Sequence, residues 1–176
     1  MHSFLSSRRA ALACGLALLA TGPAIAEPAY PSKPITIVVG YPPGGSTDLT
    51  GRVVATELSH RLGVPVVIEN IGGAGGAIGA QKVANAAPDG YTLLVGASNE
   101  IAINKLVTKN VKYDIKDFTA VGLIASQPLV LVASTGAGVK NLAEFTQKVS
   151  KNPGKYSYGS SGVGTSLHLA GEMVKE

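Results

Sequence analysis

Four short stretches of this chain collect the residues that can bind or react. They are Tyr41-Pro42-Pro43-Gly44-Gly45-Ser46-Thr47-Asp48; residues 70–76, closing with Gly73-Ala74-Gly75-Gly76; Gly96-Ala97-Ser98-Asn99; and Gly159-Ser160-Ser161-Gly162-Val163-Gly164-Thr165. Glycines let bare backbone come close to a bound group, and a helix opening directly after such a turn leaves its first amides without partners. Amides and hydroxyls together can hold an anion. Neither Arg nor Lys occurs in residues 41–50, 70–77, 96–100 or 159–166. An anion held there is gripped by amides, hydroxyls and bridging water rather than by a guanidinium fork.

Other chemistries fit these stretches less well. Counted from Gly73, a dinucleotide fingerprint needs a third Gly where Ile78 stands, and the strand ending at Gly96-Ala97-Ser98 carries no acid for a ribose. The remaining alternatives for that turn are close approach to a small anion, which is favoured, and a purely structural bend. Residues 159–163 resemble a nucleophile elbow, yet Val163 replaces the required Gly and no acid is placed to orient His168. His168 itself suits packing or a supporting hydrogen bond better than direct ligand contact. His60 and His168 are far apart with no carboxylate at ligand spacing, so no metal site is expected. Asp48 can meet an ammonium group or, as is favoured, serve the first turn of the helix that follows.

Strand–turn–helix units position these stretches. Residues 35–39 form an apolar run that reads as a buried strand; 49–62 has helical periodicity, with Gly63 to close it. A second strand is expected at 64–68 and a second helix at 77–86, stopped by Pro88-Asp89-Gly90. A third strand at 93–95 leads into a short helical segment. This alternation predicts parallel strands with right-handed crossovers, and ligands of such sheets lie beyond the carboxyl ends of the strands. Farther on, apolar residues 121–125 and 129–133 flank Ser126-Gln127-Pro128, a break that can mark passage into another domain. A helix over 141–150, a short strand over 156–158 and a helix from about Ser166 complete the expectation.

The chain has 176 residues, 45% hydrophobic and 15% charged, which is a globular composition. Aromatic residues are 5% with no Trp, which counts against base-stacking surfaces. The net charge of +4 includes Arg8 and Arg9; without them 13 basic residues face 11 acidic ones. Lys105, Lys109, Lys112 and Lys116 alternate with apolar and acidic residues and read as a solvated surface, so no nucleic-acid partner is expected. Residues 1–26 carry a secretory signature: Arg8-Arg9, an apolar segment over 10–19, Gly22-Pro23 and Ala24-Ile25-Ala26. The apolar segment is short for a membrane span. Export by either the general or the twin-arginine route, with cleavage near Ala26, is expected. Cys14, the only cysteine, lies in that leader, so the mature chain has no disulfide or thiolate chemistry.

The series Tyr30-Pro31-Ser32-Lys33-Pro34-Ile35, Pro42-Pro43-Gly44-Gly45 with Asp48, Asn70 with Gly73-Ala74-Gly75-Gly76, Ala87-Pro88-Asp89-Gly90-Tyr91-Thr92-Leu93, Tyr113-Asp114 with Lys116-Asp117-Phe118, and Gly159-Ser160-Ser161-Gly162 with Gly164-Thr165 and His168-Leu169-Ala170-Gly171-Glu172 resembles the periplasmic substrate-binding receptors of tripartite tricarboxylate transporters, the Bug-type solute receptors. The motifs are individually weak and jointly specific. Gly72, Ile115, Tyr41 and Val163 depart from the common pattern, the last two where pocket size or polarity is set.

The resemblance implies an α/β, periplasmic-binding-protein-like (Venus flytrap) fold with parallel-rich sheets. Its divisions are a signal peptide at 1–26, a first lobe at 27–125 and the incomplete start of a second lobe at 126–176. It implies a monomeric, non-enzymatic periplasmic receptor without a cofactor. That receptor delivers a di- or tricarboxylate, acidic amino acid or aromatic acid to inner-membrane transporter subunits. The expected ligand-binding residues are Pro43, Gly44, Gly45, Ser46, Thr47, Asp48, Gly73, Ala74, Gly75, Gly76, Ser98, Asn99, Ser160, Ser161, Gly164, Thr165 and His168. A secreted hydrolase using Ser160 or Ser161 with His168 and a sensory receptor of the same fold are the alternatives. Family members run well past 176 residues, so the sequence reads as a truncated member.

Overall fold

The computed structural model describes residues 29–176; the leader, its cleavage pattern and Cys14 lie outside the described residues. Residues 33–176 make one compact unit. Its centre is a three-stranded parallel sheet in the order β2–β1–β3, formed by β1 (Ile35–Val39), β2 (Val66–Asn70) and β3 (Thr92–Val95). Ile37 pairs with Ile68 on one side and with Leu93 on the other. β1 is the middle strand, and four of its five residues are buried, as a continuous apolar run requires when both faces are covered.

Helix α1 (Ser46–Leu62) covers one face, where Ala55 packs with Ile37, Val39 and Val95. Helix α2 (Ala77–Ala84) covers the other, where Ala77 and Ala80 pack with the buried ring of Tyr113. Two motifs of the sequence have structural duties here. Asp89 accepts from the Tyr91 amide at 3.1 Å and pairs with Lys33 at 3.2 Å, pinning the approach to β3 beside the entry to β1. Asp114 and Asp117 form a reciprocal capping box around a single 3-10 turn (Ile115–Asp117), which sets Tyr113 and Phe118 edge-to-face at 5.6 Å.

Several boundaries differ from expectation for local reasons. α1 begins three residues early, at Ser46, because Gly45 serves as its N-cap and residues 46–48 become its first turn. β2 is displaced to Val66–Asn70: Gly63 closes α1 in a left-handed conformation, and Ser59 Oγ donates to the Val64 carbonyl at 2.9 Å, so the chain is still leaving the helix at 64. After β3 the chain winds through one wide helical turn (Asn99–Ile103) into α3 (Asn104–Val107). No strand forms at 156–158, where Tyr156 and Tyr158 are each 41% exposed. The Tyr158 hydroxyl instead donates to Glu172 at 2.6 Å. The apolar residues of 121–133 adopt neither helix nor strand and lie exposed. Helix α4 (Leu142–Ser150) is capped by Asn141, and α5 (Ser166–Lys175) by Thr165. Among the described residues no helix is long and apolar enough to cross a membrane.

Candidate ligand-binding cavity

Because the strands are parallel and Val39 is level with both Asn70 and Val95, the three following turns leave the same edge of the sheet. Over that edge lies a cavity of about 320 Å³ lined by residues 40–42, 73–76 and 161–163. Its base is close-packed backbone. A Cβ on Gly40 would stand 2.8 Å from Cα of Gly76, and one on Gly76, whose φ is +89°, would stand 2.4 Å from Oε1 of Glu100. Only glycine fits either position. The run Gly73-Ala74-Gly75-Gly76 has positive φ throughout, including 49° at Ala74. The turn is closed on itself, with the Gly76 amide donating to the Gly73 carbonyl at 3.0 Å and the Ala77 amide to the Ala74 carbonyl.

Of the residues expected from sequence, Gly73, Ala74, Gly75, Gly76 and Ser161 line this cavity, joined by Gly40, Tyr41, Pro42, Gly162 and Val163. Pro43, Gly44, Gly45, Ser46 and Thr47 stand outside its lining, at the start of α1. Asp48 is buried and fully engaged: Oδ2 accepts from the Gly44 amide at 2.8 Å and from Arg52 Nε at 2.9 Å, while Oδ1 accepts from Asn70 at 2.9 Å. The Arg52 hydrogen bond, then the Gly44 amide and Asn70, hold its carboxyl down to about 2. Asp48 thus ties the first turn to the second, and Asn70 completes the tie by donating to the Tyr41 carbonyl at 3.0 Å.

Ser98 and Ser160 lie outside the lining, and Ser160 Oγ accepts from the Gly162 amide at 3.3 Å. Ser161 donates to Thr165 Oγ1 at 3.2 Å; Thr165, buried, donates to the Gly162 carbonyl at 2.7 Å and caps α5 by accepting from His168 N. His168 Nδ1 accepts from the Gly164 amide at 3.3 Å, and its ring stacks beside Tyr158. The imidazole therefore shapes the third turn from outside the lining.

Beneath the cavity is a polar layer in which sequence reasoning named Tyr41 and Asn99 but missed the roles of Glu100, Asn104 and Tyr113. Tyr41 Oη receives a hydrogen bond from Asn99 at 2.9 Å and lies 3.2 Å from Glu100 Oε2, to which it donates. Burial foremost, and then the neighbouring Glu100, push the Tyr41 hydroxyl up. Glu100, 1% exposed, accepts from the Ala97 amide at 3.0 Å through the same Oε2, and burial pushes its carboxyl up. Asn104 donates to the Gly75 carbonyl at 3.0 Å, and Tyr113 Oη donates to the Glu100 carbonyl at 2.8 Å. The signal available in the sequence was an acid at the start of the segment 99–107 with no base three or four residues away.

No Lys or Arg lines the cavity. The nearby Arg52 spends its Nε on Asp48 and points a terminal nitrogen at Asn70, 3.4 Å away. Among the described residues no cluster of three His, Cys, Asp or Glu could hold a metal ion. What the arrangement offers chemically is a concave surface of glycine-rich backbone, one serine hydroxyl and the Tyr41 side chain.

Comparisons with known proteins agree with this architecture. The profile described as "Tripartite tricarboxylate transporter family receptor" matches residues 50–176. Protein BugT of Bordetella pertussis is 36% identical over 148 residues, covering 83% of this chain and 45% of that protein. A solved structure of an R. palustris protein with adipate superposes with a TM-score of 0.80 at 35% identity, over 83% of this chain and 49% of the other. MatC from Rhodopseudomonas palustris with bound malate gives 0.64 at 38% identity, over 69% and 42%. The chain spans about half the length of the curated relatives it matches. From the matched profile, and from a parallel α/β sheet carrying its glycine turns on one edge, the chain belongs to the tripartite tricarboxylate transporter receptor family, with a periplasmic-binding-protein-like fold.

Proposed function

We propose that this protein is a periplasmic receptor that captures a small carboxylate for a tripartite tricarboxylate-type transporter. The observation that carries the reading is the cation-free cavity over the carboxyl edge of the sheet, walled by the positive-φ run 73–76 and by the 161–163 turn. Amides oriented by a fixed backbone stabilise a carboxylate without a guanidinium, and they do so more strongly where water is excluded. The adipate- and malate-bound relatives support a dicarboxylate as the ligand class.

The expected lobes, 27–125 and 126–176, meet this reading through the third turn: a carboxylate held at 73–76 would be closed upon by Ser161 and its neighbours. Closure is driven by tighter binding to the closed state than to the open one. Delivery to inner-membrane subunits, export by the 1–26 leader and a monomeric state belong to the same proposal. Turnover is not part of it, because His168 Nδ1 is occupied by the Gly164 amide and Ser161 donates to Thr165.

Thermal denaturation of the purified full chain with adipate, malate, citrate, glutamate and benzoate tests the reading. A ligand present at a hundredfold excess over its Kd stabilises by ~2.7 kcal/mol. Absence of a shift with every carboxylate, or ester hydrolysis lost in Ser161→Ala, would overturn it.

A further inference from the structure

The carboxyl of Glu100 is a buried acid beneath the cavity that the proposed capture does not use. Its Oε2 takes the Ala97 amide and the Tyr41 hydroxyl. Its Oε1 is buried without a hydrogen-bond partner. That oxygen lies against Gly40 and Gly76: Cβ atoms built on them would fall 3.0 and 2.4 Å from it, and both glycines line the cavity. The second unpartnered buried oxygen, Asn104 Oδ1, lies likewise against Gly75, 3.1 Å from its would-be Cβ. An ionised carboxylate here would lack both a cation and a donor on one oxygen. It would also sit just under the turn proposed to receive an anion.

Resting on the receptor reading above, we infer that Glu100 is a positioning residue that carries a proton when the cavity is filled, so that an anionic ligand is captured together with one proton. The bound carboxylate and an ionised Glu100 repel one another across the glycine floor. Protonation on Oε1 removes that repulsion and leaves Oε2 free to keep its two donors. The titratable groups facing Glu100 are Tyr41, in the turn after β1, and Tyr113, whose hydroxyl donates to the Glu100 backbone carbonyl; both are neutral hydroxyls pushed up by burial. Lys105 on α3 pairs with Asp114 at 3.6 Å, and His168 on α5 is engaged with Gly164. Among the described residues no ion pair reaches Glu100.

Titration calorimetry of the full chain with adipate, at pH values where adipate is fully ionised, tests the inference. Affinity should fall with rising pH, approaching tenfold per pH unit, and the apparent enthalpy should vary with buffer ionisation heat as one proton is taken up. In Glu100→Gln the pH slope should vanish; His168 and both tyrosines are unchanged between the two proteins, so the difference belongs to Glu100. A wild-type affinity independent of pH, or an equal slope in Glu100→Gln, would overturn the inference while leaving the receptor reading intact. Should Glu100→Gln fail to fold, the buffer dependence of the wild-type enthalpy decides alone. If adipate and the other carboxylates bind at no pH, the receptor reading fails and this inference falls with it.

Discussion

The side-chain oxygen of Asn99 accepts a hydrogen bond from the backbone amide of Ser166 at 2.8 Å. Its amide nitrogen meanwhile donates to Tyr41 Oη at 2.9 Å. One buried amide thus joins the end of β1, the turn after β3 and the first residue of α5. Replacing it should loosen α5 before it affects the sheet. In Asn99→Ala, backbone hydrogen exchange should accelerate at residues 166–169 with little change at 35–39; equal acceleration at both places would show that Asn99 supports the whole unit instead.

Asp48 should govern behaviour in acid. Its folded pKa is depressed to about 2 by Arg52, Gly44 and Asn70. The stability it contributes is therefore fully present above the ordinary aspartate pKa of about 3.9 and lost as pH falls toward the folded value. Urea titrations at descending pH should show this decline, and Asp48→Asn should remove that part of it. A mutant whose acid limb matches the wild type would count against this role.

Gly76→Ala should be among the most damaging small substitutions. A Cβ there must displace Glu100 Oε1, and the backbone φ of +89° strains any L-residue. The expected loss is ~1–3 kcal/mol from backbone strain alone. Gly44→Ala is the comparison: its φ of +91° carries the same strain, with nothing within 4 Å of the new methyl. A denaturant midpoint that falls farther for Gly76→Ala isolates the contact with Glu100.

Tyr113→Phe removes the donor that satisfies the Glu100 carbonyl while keeping the ring that packs on α2 and meets Phe118 edge-on. Leaving a buried carbonyl unpaired costs ~1–3 kcal/mol. Calorimetric unfolding should register that loss; a neutral result would mean that the carbonyl finds another donor.

The fold was legible wherever pattern and punctuation agreed. The apolar run 35–39, the glycines at 63 and 73–76 and the alternation of periods were enough to place a parallel sheet with its turns on one edge. The shift of β2 depends on Ser59 and Gly63, which govern how the chain leaves α1; in the sequence only Pro65, which has no amide to donate, marks the later start. The expected strand at 156–158 rested on local composition, whereas a strand exists only where another lies beside it.

The site was legible as backbone and obscure as side chains. Glycine spacing pointed to 73–76, and Ser161 followed from the third turn. The sequence also indicated Asp48 and Asn99 as polar residues near turns, but their partners at Arg52, Asn70, Tyr41 and Ser166 are set by tertiary approach. Glu100 and Asn104 were passed over, and Tyr113 was noted only within a motif, because their burial depends on the packing of segments distant in sequence.

The placement of β1 in the middle of the sheet also sets an order of events. Ile37 is made early in the chain, yet one of its two neighbours is Leu93. Until the segment through Val95 is available, the most apolar strand of the molecule has an open edge. Contacts between residues so far apart in sequence form slowly, since a long loop must close before any pairing is gained. A nascent chain threading out residue by residue would therefore present β1 to other molecules for the whole time that α1, β2 and α2 are being delivered.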